Sequence, residues 1–225
     1  ERVGGARVQV MALVAPGQDP HTYEATPRQV HAAATAQAYF KIRWPFEEGL
    51  LAKLQGMNPR LKVFDVTTRI TFRTLAEDEE CAHEGHEHAH AHGKGEPDPH
   101  IWLSPRLAAV IAEGIADGLR EIDPDGIAEY DRNLHVFKAD LAALDAKLTT
   151  ALAPLKGREF MVYHPAFGYF ADAYGLKQRP IELAGKEPSA RQLAAAIKRA
   201  KDRGIRVIFV QPQFPVRTAE TIARS

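Results

Sequence analysis

Apolar residues recur in steps of three and four at Ile127, Tyr130, Leu134, Phe137, Leu141, Leu144, Leu148 and Leu152, ending at Pro154. That period puts them on one stripe of a helix, and a helix from Pro124 to Ala153 would be about 45 Å long at 1.5 Å per residue. A shorter stripe, Leu107, Val110, Ile111, Ile115, Leu119 and Ile122, follows the start signal Ser104-Pro105 and stops at Asp123-Pro124. Upstream, Arg7 to Val14 reads as a strand closed by Pro16-Gly17. Thr26-Pro27 has the form of a helix start running to about Ala36. Tyr39 to Ile42 and Lys62 to Val66 read as short strands around a helical piece at Phe46 to Leu54.

The same alternation resumes beyond Pro154. Glu159 to Tyr163 reads as a strand with His164-Pro165 at its carboxyl end, and Ala166 to Tyr174 as a helix stopped by Gly175. Arg179 to Leu183 reads as a strand. Ser189 with Gln192 three residues on has the pattern of a capping box for a helix ending before Gly204. Arg206 to Val210 is an apolar strand, followed by the loop Gln211-Pro212-Gln213-Phe214. Strand and helix in turn predict an α/β protein with mostly parallel sheet flanked by helices, and ligands collecting beyond the carboxyl ends of the strands. The long helix then reads as a rigid strut joining two lobes. The expected division is an N-terminal lobe over 1–122, a linking helix over 123–155 and a C-terminal lobe over 156–225 that looks incomplete.

Composition changes this picture little. The 29 basic residues cancel the 29 acidic ones and neither sign forms a long block, so nucleic acid and anionic membrane surfaces are not suggested as partners. No apolar run approaches the roughly 20 residues of a membrane helix. The single cysteine, Cys81, has no internal partner for a disulfide and reads as a polar-loop residue. Glu1 is neither an initiator methionine nor part of a signal peptide, and the expectation is that something precedes it.

Histidine carries the chemistry. His83, His86, His88, His90 and His92 lie in one acidic, glycine-containing stretch, a sequence type that attracts zinc, copper or nickel through many interchangeable imidazoles. Outside it, His21, His100 and His164 each adjoin a proline, which limits the conformations the loop must lose on binding a metal. Three imidazoles and a water or carboxylate would complete a tetrahedral site, but spacing alone does not bring the three together, and no HExxH or CxxC at His21, His100 or His164 supports the assignment locally. His31 and His135 fall within expected helices without companion motifs and read as surface or packing residues.

The stretches VAPGQDPHTYEATPRQV, PDPHIWLSPR, VYHPAFGYFADAYGL, GKEPSARQL and VIFVQPQF, in this order, resemble the zinc-binding, ZnuA-like branch of the cluster A-I solute-binding proteins of ABC transporters. The resemblance implies two α/β lobes on one long rigid helix, with zinc held in the cleft by His21, His100 and His164. It also implies a histidine- and acid-rich loop at about 77–97, whose five histidines would add weak sites. Manganese members carry Glu where His164 stands, and a third imidazole favours zinc over a harder cation. Pro20 occupies a position where some zinc members place a Glu ligand. The fourth ligand stays open among water, an Asp beyond this sequence and a tract histidine. Glu24 reads as a solvated loop carboxylate, and Gln211 stands where many relatives have Glu.

The function so implied is capture of extracytoplasmic Zn2+ by a monomer and its delivery to an ABC membrane permease, with no catalytic residues and a periplasmic or other extracytoplasmic location. The competing readings are a zinc hydrolase or hydratase built on three histidines, and a metal-storage protein or adhesin without a permease.

Overall fold

The computed structural model describes residues 1–75, 97–182, 188–205, 207–214 and 216–224. The histidine tract and Cys81 lie outside these residues, as do Gly185, Lys186 and Glu187. Two compact units emerge, one made of Glu1–Thr71 with Ser104–Lys147, the other of Phe72–Leu103 with Leu148–Ser225. The described residues 72–75 and 97–103, expected with the N-terminal lobe, therefore group with the C-terminal segment. The cause is visible in side chains: Arg73 bonds Asp172, and the Tyr169 hydroxyl donates to the Asp98 carbonyl.

In the first unit α1 (Pro27–Ala34) begins at Thr26, whose hydroxyl accepts from the Gln29 amide in a full capping box. Then come β1 (Ala38–Lys41), α2 (Pro45–Met57), β2 (Lys62–Asp65) and α3 (Pro105–Ile122), the last capped by the Ser104 side chain. β1 and β2 pair in parallel, Ala38 opposite Lys62 and Lys41 opposite Asp65. The expected strand over Arg7 to Val14 does not form. Gly5–Arg7 is a single 3-10 turn, and the residues after it pair with no strand among those described. Val10 and Met11 stand 54% and 47% exposed. β-branched composition favours a strand only where a neighbouring strand supplies the ladder and the packing.

Two apolar clusters hold this unit. One gathers Val3, Ala112, Ala116, Leu119, Tyr130 and Leu134, and the other Ala33, Leu50, Leu54 and Leu61. At Gly118 helix and sheet approach so closely that an added Cβ would lie 2.6 Å from Phe40 Cε1 and 2.9 Å from Phe64. Alanine gains about 1 kcal/mol of helix propensity over glycine, yet overpacking costs about 1–3 kcal/mol. Gly118→Ala is expected to lower the denaturation midpoint in urea, and a raised midpoint would show that the two rings yield freely.

α4 (Ile127–Leu152) follows a 3-10 turn at Pro124–Gly126 and carries the chain from the first unit into the second. Only Tyr130 and Leu134 of its stripe are buried, whereas Leu144 is 44% exposed. The stripe marks the helix correctly but overstates its burial, because the helix leaves the core cluster after Phe137.

The second unit contains β3 (Glu159–Val162), α5 (Gly168–Tyr174), β4 (Lys177–Pro180), α6 (Ala190–Asp202), β5 (Ile208–Phe209) and α7 (Val216–Ala223). Its parallel sheet has the order β4-β3-β5. Gly175 ends α5 at φ 66°, and β4 starts two residues later, earlier than the strand read at Arg179 to Leu183. Ser189 forms its capping box with Gln192. Met161, Tyr163, Ile181 and Ile222 make the core. No helix among the described residues is long and apolar enough to cross a membrane.

Candidate metal centre

His164 stands just past β3, at the carboxyl end of the central strand of the second unit. Its Nδ1 lies 3.2 Å from Glu182 Oε2, and its ring stacks on Phe214 at 4.9 Å between centroids. Glu182 arrives at the same end because its backbone amide donates to the Tyr163 carbonyl beyond β4. Imidazole and carboxylate are both buried.

His100 comes from the other segment of this unit. Its backbone amide donates to Asp98 Oδ1 at 3.0 Å, and its Nδ1 sits 2.8 Å from the same oxygen. Asp98 is wholly buried, and its Oδ2 accepts from Arg73 Nη1 at 2.9 Å. Burial alone would raise the Asp98 pKa, but the His100 and Arg73 bonds outweigh it and hold this carboxyl below its ordinary range. The His100 pKa is lowered, first by burial, with Asp98 opposing.

The two Nε2 atoms face each other at 3.1 Å. A carboxylate only accepts, so each Nδ1 paired with one must carry the proton, leaving a lone pair on each Nε2. Two lone pairs at that distance repel unless a proton or a metal cation lies between them. Bonds of 2.0–2.1 Å to a tetrahedral zinc would set the nitrogens about 3.3–3.4 Å apart, an adjustment of about 0.2–0.3 Å. Imidazoles oriented through Nδ1 by carboxylates are the usual construction behind histidine metal ligands.

His21 belongs to the first unit. Its backbone amide donates to Asp19 Oδ1 at 2.9 Å, so Asp19-Pro20-His21 repeats the local bond of Asp98-Pro99-His100. The His21 ring is exposed and meets the Trp44 ring edge-on at 4.8 Å. Trp44 is held by its amide bond to Glu47 Oε2, and Arg43 before it adopts φ 64° while its guanidinium reaches Asp65. Glu47 is itself buried, which raises its pKa despite bonds from the backbone amides of Trp44 and Ile42.

A family model described as "Zinc-uptake complex component A periplasmic", ZnuA, matches residues 1–225. The chain belongs to the ZnuA family. Among curated ZnuA-family proteins, the high-affinity zinc uptake system protein ZnuA of Bacillus subtilis (strain 168) is 33% identical over 213 residues, 94% of this chain and 66% of the relative. Among solved structures, a ZnuA crystal structure aligns with TM-score 0.85 and 39% identity over 99% of this chain and 81% of the other. Zn(II)-bound AdcA from Streptococcus pneumoniae aligns with TM-score 0.77 and 27% identity over 99% of this chain and 45% of that one. The chain thus spans about two thirds or less of the length of the curated relatives it matches.

Of the residues singled out in this ZnuA-family sequence, His100 and His164 come together, and His21 takes a matching local turn in the other unit. His83, His86, His88, His90 and His92 lie outside the described residues. Asp98, Glu182, Arg73 and Phe214 were not singled out from sequence as site residues. The repeated Asp-Pro-His could have pointed to Asp98, since aspartate two residues before an amide is a common turn acceptor. Glu182, 18 residues beyond His164, has no local signal.

Proposed function

We propose that this protein captures a zinc ion outside the cytoplasmic membrane and passes it to an ABC membrane permease, holding the ion as cargo without chemical turnover. The carrying observation is the facing Nε2 pair, each imidazole backed by a buried carboxylate. His100 and His164 bind the ion, and His21 supplies the third imidazole, a role supported by its repeat of the Asp-Pro-His turn and by the family to which the chain belongs. The zinc-bound AdcA structure and the zinc-bound form of a ZnuA deletion mutant, 38% identical to this chain, support zinc as the ion. The histidines at 83, 86, 88, 90 and 92 add weaker sites that raise the local concentration of metal. The family description supports a periplasmic or other extracytoplasmic placement.

Zinc titration against a competing chelator tests this reading. The protein should bind one ion tightly, with any tract sites appearing as weaker steps. Neutral imidazole is the ligand, so protons compete with the metal. Affinity should hold between pH 8 and about 6.5 and then fall, by about tenfold per pH unit for each imidazole that has to lose a proton. Because burial depresses the His100 pKa, its share of the fall comes at lower pH than for an ordinary histidine. An affinity unchanged between pH 7 and 5 would exclude imidazole ligation.

A further inference from the structure

Behind the two facing imidazoles stand unlike supports. Asp98 gives one oxygen to His100 and the other to Arg73, whose side chain is only 22% exposed. Among the described residues, no ion pair joins Glu182 to an arginine or lysine. The Arg73 guanidinium is itself fastened by Asp172 Oδ2 on Nε at 2.9 Å, and its backbone amide donates to the Tyr169 hydroxyl, which in turn donates to the Asp98 carbonyl.

The fold also makes room for this arginine. Gly168 opens α5, and a Cβ there would fall 1.7 Å from Arg73 Nη1 and 2.7 Å from Asp98 Oδ2. Just upstream of the ligand, the Thr74–Pro97 bridge and the bond from the Asp98 amide to the Arg73 carbonyl close the two chain segments together. A fixed positive charge is thereby held one hydrogen-bonded carboxylate away from His100.

We propose that Arg73 is a positioning residue that steadies Asp98 in the metal-free protein while its charge limits how tightly the site holds a divalent cation. The inference rests on zinc binding at His100 and His164. Without the ion, Arg73 supplies the counter-charge that a buried carboxylate needs. With zinc bound, the same charge opposes the ion at short range through a buried, weakly screened path, and it draws the carboxylate away from strengthening His100 as a donor. A carrier that must surrender its cargo gains from such a restraint.

The two effects have opposite signs, which separates this role from a merely structural one. In the full-length protein, Arg73→Gln should lower the melting temperature of the metal-free form and, in chelator competition with Zn2+ alone, bind zinc about tenfold more tightly with correspondingly slower release, as loss of a nearby like charge predicts. Arg73→Lys, which keeps the charge, should return both values close to those of the parent. Asp172 is 62% exposed, so Asp172→Asn should fold normally, and by leaving the Arg73 charge less compensated it should weaken zinc binding a few-fold. Zinc binding by Arg73→Gln equal to or weaker than the parent's would overturn the inference. So would unchanged or tighter binding by Asp172→Asn, which decides the matter if the first variant fails to fold. Failure of the parent to bind zinc would instead overturn the reading of the site itself.

Discussion

His164→Ala is expected to weaken zinc binding by about 100- to 1000-fold. Structural zinc sites release about 10–16 kcal/mol on binding, so one of about four ligands carries about 3 kcal/mol or more. The Nε2 that would disappear is the one facing His100 at 3.1 Å, and Phe214, which stacks on the lost ring, has no donor to replace it. Glu182 would remain buried without its imidazole, and a stranded polar group of this kind costs about 1–3 kcal/mol of stability. Chelator competition measures the affinity, and circular dichroism checks that the variant is folded. A folded His164→Ala protein that binds zinc as tightly as the parent would move the site elsewhere.

Asp98→Ala should show the second large effect, on stability and affinity together. Asp98 is fully buried and joins Arg73, His100 and, through its carbonyl, Tyr169. Removing one partner of a buried ion pair costs about 3–5 kcal/mol, since the other charge is left without compensation. Asp172 still holds Arg73, which places the expected loss toward the lower end of that range. His100 would lose the acceptor that selects its tautomer, and loss of such an outer partner lowers metal affinity about 10- to 100-fold. Urea unfolding of the metal-free protein and zinc titration read the two effects separately. Weaker binding here against tighter binding in Arg73→Gln would show that carboxylate and guanidinium act on the ion with opposite sign. An unfolding midpoint equal to the parent's would mean that the ion pair contributes nothing to the fold.

Much of the architecture was legible because its signals are local. Thr26-Pro27, Ser104-Pro105 and Ser189 with Gln192 all begin helices, each through a hydrogen bond to an amide three residues away. Gly175 ends α5 in the left-handed region that glycine enters without a Cβ penalty. The parallel strands followed from short β-branched or aromatic runs alternating with helices. The run at Arg7 to Val14 carries a similar pattern without a strand beside it among the described residues, and it misled for that reason.

The site was legible as a list of histidines and opaque as a geometry. From sequence alone, His21, His100 and His164 were marked by prolines and by a family likeness, and the aspartate of each Asp-Pro-His reaches its histidine within two residues. What only the tertiary structure decided was that the described residues 72–75 and 97–103 group with the second unit, so that His100 meets His164, and that Glu182 and Arg73 stand behind the two imidazoles. A cap or a turn is settled by atoms a few bonds apart along the chain. The meeting of groups 64 residues apart depends on which strand ends and loops the whole fold brings to one place, and no local pattern encodes that.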